Sequence, residues 1–304
     1  MLDWKRPELS DGDWVKRLVI ESGEQTSDIS FANMYLLRNK YDIEICRYRD
    51  FLVRRYNGAG MRKGYTFPIG DYSKSDDITK LLTELEHDAV SRGEELRFAF
   101  LTETQKEMLE EYMPGRFIYS SDAGDSDYIY SAQELANLSG KAFHKKKNHV
   151  SRFLRTYPDY EYWEIGCNNR DDAALVADAW YYEHLQQEDD SQLKEYAAIK
   201  EALNYFDKLE LNGGIIYVNE TPVAMTIASM INDETADIHF EKAIGECAMY
   251  GGYAAINNMF AKQLNESGVQ WLNREEDIGI EGLRKAKMSY RPKVLVKKYG
   301  AVEK

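Results

Sequence analysis

Across 304 residues, 39 Lys+Arg stand against 52 Asp+Glu, a formal charge of −13. That excludes a protein that coats nucleic acid or an anionic membrane with its whole surface. Hydrophobic residues at 43% and aromatics at 12% exclude a largely disordered chain, and the length suits two domains.

Taken in chain order, residues 43–48 and 51–56 read as a strand pair and 65–69 as a third strand. Ile78, Leu81, Leu82, Leu85 and Ala89 recur at helical spacing, ending near Gly93. A strand over 96–101, a helix over 103–112 stopped by Pro114, and strands over 117–120 and 127–130 follow. A basic helix over 140–155 ends before Pro158 and leads into a strand over 160–165. Helices are predicted over 171–187 and 192–208. Residues 213–218 and 222–230 pair as a hairpin around Asn219-Glu220, and 236–242 is the next strand. Tyr253, Ile256, Phe260 and Leu264 mark a helix ending near Gly268. A strand over 269–273, a helix over 280–289 ended by Pro292, and a last strand over 294–299 complete the chain. The two halves share this order, so the expected fold is α/β, a mixed sheet with helices on both faces in each of two domains, residues 1–131 and 132–304.

Charge is concentrated. Residues 135–155 hold six Lys/Arg and no acid, and 282–302 hold seven and no acid. The 126 residues between these patches carry 7 bases and 25 acids. Two basic patches on an acidic body suit an anion site; two solvated helix faces are the alternative. Cys46, Cys167 and Cys247 lie far apart with no C-x-x-C, so neither a disulfide framework nor a zinc site is expected. Asp171-Asp172 and Asp189-Asp190 lack metal-loop spacing, and no P-loop, nucleophile elbow or Ser/His/Asp constellation is legible. No metal is expected. Without a leader-like start or a long apolar run, the expectation is a cytoplasmic chain with no membrane insertion.

Two stretches resemble a known family. Phe143-His144-Lys145-Lys146-Lys147-Asn148-His149, continued by Arg152-Phe153-Leu154, is one. The other runs from Asn273-Arg274-Glu275-Glu276-Asp277 through Gly282-Leu283-Arg284-Lys285-Ala286-Lys287 to Ser289-Tyr290. With His239-Phe240-Glu241-Lys242-Ala243 and Gly252-Tyr253, they resemble the soluble family related to the C-terminal domain of phosphatidylglycerol lysyltransferases. That resemblance implies two tandem GNAT-like acyltransferase domains. Both basic patches and all these motifs lie after residue 135, so the second domain is expected to carry the ligand site and the first to be a degenerate copy.

In a GNAT fold the sheet splays and the acyl donor lies in the split, its pyrophosphate on backbone N–H groups that lead into the next helix. The resemblance places that cradle at Met249, Tyr250, Gly251, Gly252 and Tyr253, with a plain helix start as the alternative. Lys145, Lys146, Lys147, Arg152, Arg284 and Lys287 would supply charge for coenzyme A, an acyl-CoA donor, or a tRNA acceptor end. Arg284, Lys287 and Arg291 are spaced to share one helix face. Trp163, Trp180, Tyr181 and Tyr182 are candidates for stacking or for core.

Glu241, on a strand in alternation with His239, is the candidate general base or else an ion-pair partner of Lys242 or of a base on the last helix. Tyr290 is the candidate general acid or a packed aromatic. Asn273 is placed to orient a substrate carbonyl, and Asp277 to cap the helix near Ile280. The expected function is acyl or aminoacyl transfer from acyl-CoA or aminoacyl-tRNA to an amine acceptor. The alternative is a non-catalytic protein that binds or senses a CoA-like or nucleotide ligand.

Overall fold

The computed structural model describes residues 2–184 and 190–304. The end of the helix expected over 171–187, and Asp189 of the acid pair, lie outside the described residues. The chain divides into two compact units. The first comprises residues 1–127, 276–279 and 296–304; the second comprises 128–275 and 280–295.

The first unit contains α1 (Gly12–Ser22), α2 (Phe31–Leu37), β1 (Ile43–Tyr48), β2 (Phe51–Asn57), β3 (Lys63–Tyr65), β4 (Ile69–Gly70), α3 (Ser75–Ser91), β5 (Arg97–Leu101), α4 (Glu103–Tyr112) and β6 (Phe117–Ser120). The chain continues through β7 (Asp127–Ser131), α5 (Ala132–Asn137), α6 (His144–Thr156), β8 (Glu161–Glu164), α7 (Arg170–His184) and α8 (Asp190–Asn204). Next come β9 (Asn212–Val218), β10 (Thr221–Met230), β11 (Thr235–Ala243), α9 (Gly245–Met249), α10 (Gly252–Glu266), β12 (Trp271–Asn273) and α11 (Glu281–Met288). Strands β13 (Val294–Val296) and β14 (Tyr299–Glu303) close the chain.

The expected single last strand over 294–299 is two strands in two different sheets. β14 lies between β5 and β6 in the first unit's sheet, whose order is β1-β2-β3-β5-β14-β6 with β4 on β2. The second sheet runs β13-β7-β12-β11-β10-β9-β8. A domain running unbroken from 132 to 304 is therefore not what is found: residues 296–304 pack in the first unit. Burial explains it. Lys298, 2% exposed, reaches Asp28 at 3.0 Å and Asp127 at 2.6 Å, and Arg54 pairs with Asp28 at 2.8 Å. Buried charges need partners, and these fix β14 to that sheet.

Leu81, Leu85, Phe98 and Leu109 share an apolar core with Phe51 and Ala301 in the first unit. In the second, α10 packs on β9, β10 and β11, and α7 packs on β10 and β11. The β9–β10 hairpin turns through Asn219 at φ 49° and Glu220 at φ 62°, the positive angles that a two-residue type I′ turn requires.

Candidate functional site

β11 is nine residues long, yet it pairs with its parallel neighbour β12 only at Thr235, Ala236 and Asp237. β12 is three residues long and pairs over its whole length, so the ladder ends at Asp237–Asn273. Beyond the last residue of β12, the chain turns sharply. Asn273, fully buried, accepts a hydrogen bond through its side-chain oxygen from the Glu275 N–H at 2.8 Å. Glu275 itself sits at φ 54°, a left-handed conformation that costs a non-glycine residue about 1 kcal/mol or more. Asn273 thus shapes the turn that presents Arg274 and Glu275, whereas the sequence suggested a substrate contact.

A β-bulge sorts the residues of β11. Ile227 pairs with Phe240 and Ala228 with Ile238, so His239 is the extra residue. A bulge re-aims the side chains beyond it. Ile238 shares an apolar cluster with Ala254 and Phe260 of α10, and Glu241 meets Asn257 of the same helix. Both therefore face α10. Ser229 and Asp237 adjoin Ala228 and Ala236, which also belong to the α10-side cluster, so alternation turns them to the α7 face. His239 follows them there. Strand alternation alone would have put His239 and Glu241 on one face; the bulge separates them.

On the α10 face Glu241 forms an ion pair with Arg274 at 2.9 Å and accepts from the Asn257 amide at 2.9 Å. Each side chain of the pair is 12% exposed. The partner is Arg274, not Lys242 or a base of the last helix. Lys242 instead reaches Glu195 at 2.7 Å and lies over the Trp180 ring. The Arg274 guanidinium stands 4.6 Å over the Tyr290 ring, and the Lys146 amine 3.6 Å over the same ring. Tyr290 is 5% exposed and meets Tyr130 edge to face. Burial pushes the Lys146 amine down to about 8, the positive Arg274 adds to that, and Glu241 opposes it. Burial also raises the Tyr290 hydroxyl above its ordinary range against the opposing influence of Arg274, so it stays a proton donor.

On the α7 face the Ser229 hydroxyl lies 2.8 Å from His239 Nε2. His239 Nδ1 lies 3.4 Å from Asp237 and 3.3 Å from Glu275. The sequence showed no Ser/His/acid constellation because its members come from two paired strands and a turn 36 residues further on. Strand pairing assembles it.

The remaining site residues divide. Lys145, Lys147 and Arg152 are exposed on α6, and Arg152 lies 4.8 Å over the Tyr250 ring. Met249 and Tyr253 are exposed. Gly251 is the N-cap of α10 at φ 104°, and a Cβ there would stand 2.4 Å from the His149 carbonyl oxygen. A Cβ on Gly252 would meet Cys247 Sγ at 2.4 Å. The two glycines thus admit α6 and α9 closely, where the sequence reading expected a pyrophosphate. Lys287 is buried and donates to the backbone carbonyls of Arg274 and Glu275, so it is withdrawn from any phosphate. Arg284 is half-buried. The shared face with Arg291 fails because α11 stops at Met288 and Arg291 stands at φ 59°. Asp277 does not cap α11: its carboxylate accepts from the Gly279 N–H at 2.9 Å, and the N-cap, Ile280, offers no side-chain bond. Tyr181 stacks on Tyr196 at 4.4 Å, and Trp163 is exposed.

Sequence reasoning missed the importance of Arg274 and the special place of Lys146 among the α6 lysines. A signal for Lys146 existed: it lies four residues before Val150 and seven before Phe153, on the buried stripe of an amphipathic helix.

Residues 21–302 match the family described as phosphatidylglycerol lysyltransferase, C-terminal, and the chain belongs to that family. A conserved protein of unknown function from Bacteroides thetaiotaomicron is 36% identical over the full length of both chains, with a TM-score of 0.91. The C-terminal domain of a putative lysylphosphatidylglycerol synthetase from Agrobacterium fabrum aligns at TM-score 0.68 and 13% identity, covering 98% of this chain and 93% of that one. L-PGS from Bacillus licheniformis aligns at 0.67 and 15% identity with the same coverage. The fold is two GNAT-like units in tandem, each with a mixed sheet. The chain spans about half, 55%, of the length of the curated relative it matches, an uncharacterized protein of Mycoplasmoides gallisepticum. Among the described residues no helix is long and apolar enough to cross a membrane.

Proposed function

We propose that the second unit transfers an acyl or aminoacyl group from an activated ester or thioester, aminoacyl-tRNA or acyl-CoA, to an amine acceptor. The observation that carries this reading is the Lys146 amine over Tyr290, beside the Glu241–Arg274 pair, next to the end of the β11–β12 ladder. An amine that titrates near 8 accepts a proton from an attacking ammonium group close to working pH and can return it to the leaving group, the condition for efficient general acid–base help. Arg274, fixed by Glu241, supplies positive charge where the carbonyl oxygen becomes negative. Glu241 is assigned to positioning, since both its oxygens are engaged. Tyr290 supplies the protonated hydroxyl. Lys145, Lys147 and Arg152, exposed on the same helix as Lys146, offer charge to donor phosphates, which CoA and a tRNA end share.

One observation favours the second reading, a ligand-binding protein without turnover. Beyond the end of β12, the chain is tied back to β11 by the Arg274–Glu241 pair on one face and the Glu275–His239 contact on the other. Transfer of a labelled acyl group from acyl-CoA or aminoacyl-tRNA to hydroxylamine, a generic amine acceptor, separates the two. Turnover that falls in Lys146→Met supports the transferase. Saturable donor binding without turnover supports the second reading.

A further inference from the structure

We propose that Asp237, His239 and Glu275, on the α7 face of the second sheet, form a binding site for a divalent first-row transition-metal ion such as Zn²⁺ or Mn²⁺. The site lies on the opposite face from Lys146 and goes beyond the transfer reading. Each residue offers one ligand atom, and the three atoms lie within 4.8 Å of one another.

The separations are informative. His239 Nδ1 stands 3.4 Å from Asp237 Oδ2 and 3.3 Å from Glu275 Oε1. Charge-assisted N–H···O bonds close at about 2.7–2.9 Å, so a single proton on Nδ1 serves neither carboxylate well. Ligands about 2.0–2.2 Å from a shared tetrahedral ion stand roughly 3.3–3.5 Å apart by geometry. The imidazole is oriented for this role. Ser229 lies 2.8 Å from Nε2 and can accept its proton, which turns the Nδ1 lone pair to the carboxylates, the second-shell arrangement that metal-binding histidines use. Two carboxylates and a neutral imidazole carry two negative charges, which a divalent ion balances.

The backbone holds the donors in place. Asp237 is the last residue paired with β12, opposite Asn273. Asn273 in turn bonds the Glu275 N–H, and the bulge keeps His239 beside Asp237. Asp237 is fully buried, His239 is 3% exposed and the Glu275 side chain is 23% exposed. Entry from solvent is thus past Glu275, and open coordination positions on that side would be filled by water or substrate. Nitrogen with carboxylate oxygens suits zinc, manganese or ferrous iron better than calcium or magnesium, which take oxygen-rich shells.

The test is isothermal titration of the full chain, stripped with a chelator, with Zn²⁺ and then Mn²⁺. The expected result is one saturable equivalent, weakened by roughly 10²-fold or more in Glu275→Gln and in His239→Ala and unchanged in Asp171→Asn, a surface acid. If His239→Ala fails to fold, Glu275→Gln decides. Its thermal unfolding should no longer shift upward with Zn²⁺ as the wild type's does. No saturable binding of either ion, or binding that persists in Glu275→Gln, would overturn the proposal. Either result leaves the Lys146 reading standing, because that reading rests on other residues.

Discussion

His239 and Glu241 are two residues apart on one strand and face opposite sides of the sheet, because the bulge at His239 inserts one residue into the ladder. The displacement gives Glu241 to Arg274 and His239 to Ser229, and so makes two buried polar clusters from one short segment.

Glu241→Gln should cost both stability and chemistry. The amide oxygen still accepts from Arg274 or Asn257, but the variant leaves a buried guanidinium without its counter-charge. Breaking a buried pair typically costs about 3–5 kcal/mol, and the low end is expected because one neutral hydrogen bond survives. Since Glu241 raises the Lys146 pKa, the variant should also titrate that lysine below about 8. Urea unfolding and the pH–rate profile read the two effects separately. Wild-type stability in the variant would mean that the pair is not formed in solution.

Gly251→Ala should disturb α6. The added Cβ would clash with the His149 carbonyl oxygen, and its φ of 104° disfavours any side chain. A loss of roughly 2–3 kcal/mol is expected, comparable to overpacking, with the Lys146 pKa returning toward its ordinary value as the helix shifts. A stable variant with an unmoved lysine would show that the close approach is dispensable.

Much of the fold could be read from sequence because it is written locally. Alternation and turn chemistry mark the β1–β2 and β9–β10 hairpins, and 3.6-residue spacing marks α3 and α10. What was lost is non-local. Residues 294–299 read as one last strand, and only partners such as Asp28 and Asp127 of Lys298 reveal that Val294–Val296 and Tyr299–Glu303 lie in different sheets. The family-like motifs contain Lys146, Glu241, Arg274 and Tyr290, which the fold brings together. As motifs they did not separate Lys146 from Lys145 and Lys147; helical spacing to Val150 and Phe153 marks the buried stripe, but the ring that Lys146 covers, Tyr290, lies far along the chain. Lys287 was misjudged for the same reason: its carbonyl partners sit in a turn that helix spacing does not foresee.

In the first unit, Lys298→Met should be strongly destabilising, since it takes the ammonium from the fully buried Asp127 while Asp28 keeps Arg54. A loss of about 3–5 kcal/mol is expected. Adding Asp127→Asn should recover part of it, because it removes the buried charge that Lys298 balanced and leaves the Arg54–Asp28 pair intact. Equal stability of single variant and wild type in chemical denaturation would contradict the assigned network.

Stability should also depend on Glu24. Burial raises its carboxyl to about 7, opposed by the hydrogen bond from Thr102. A carboxyl with a raised folded-state pKa binds more protons folded than unfolded. Its stabilising contribution is full below about 4.5 and is lost as pH rises through about 7. Across that range the loss amounts to about 3 kcal/mol. Glu24→Gln should therefore flatten the decline in stability between pH 5 and 7, and an unchanged decline would assign it to other groups.

The most direct test is the pH dependence of acyl transfer to hydroxylamine by wild type and Lys146→Met, at fixed donor saturation. In wild type the rate should rise with pH through a limb near 8 as Lys146 loses its proton. The variant should lose that limb and fall by roughly 10²-fold or more, with donor affinity little changed. A variant that keeps both the wild-type rate and the same limb would contradict the assignment of proton transfer to Lys146.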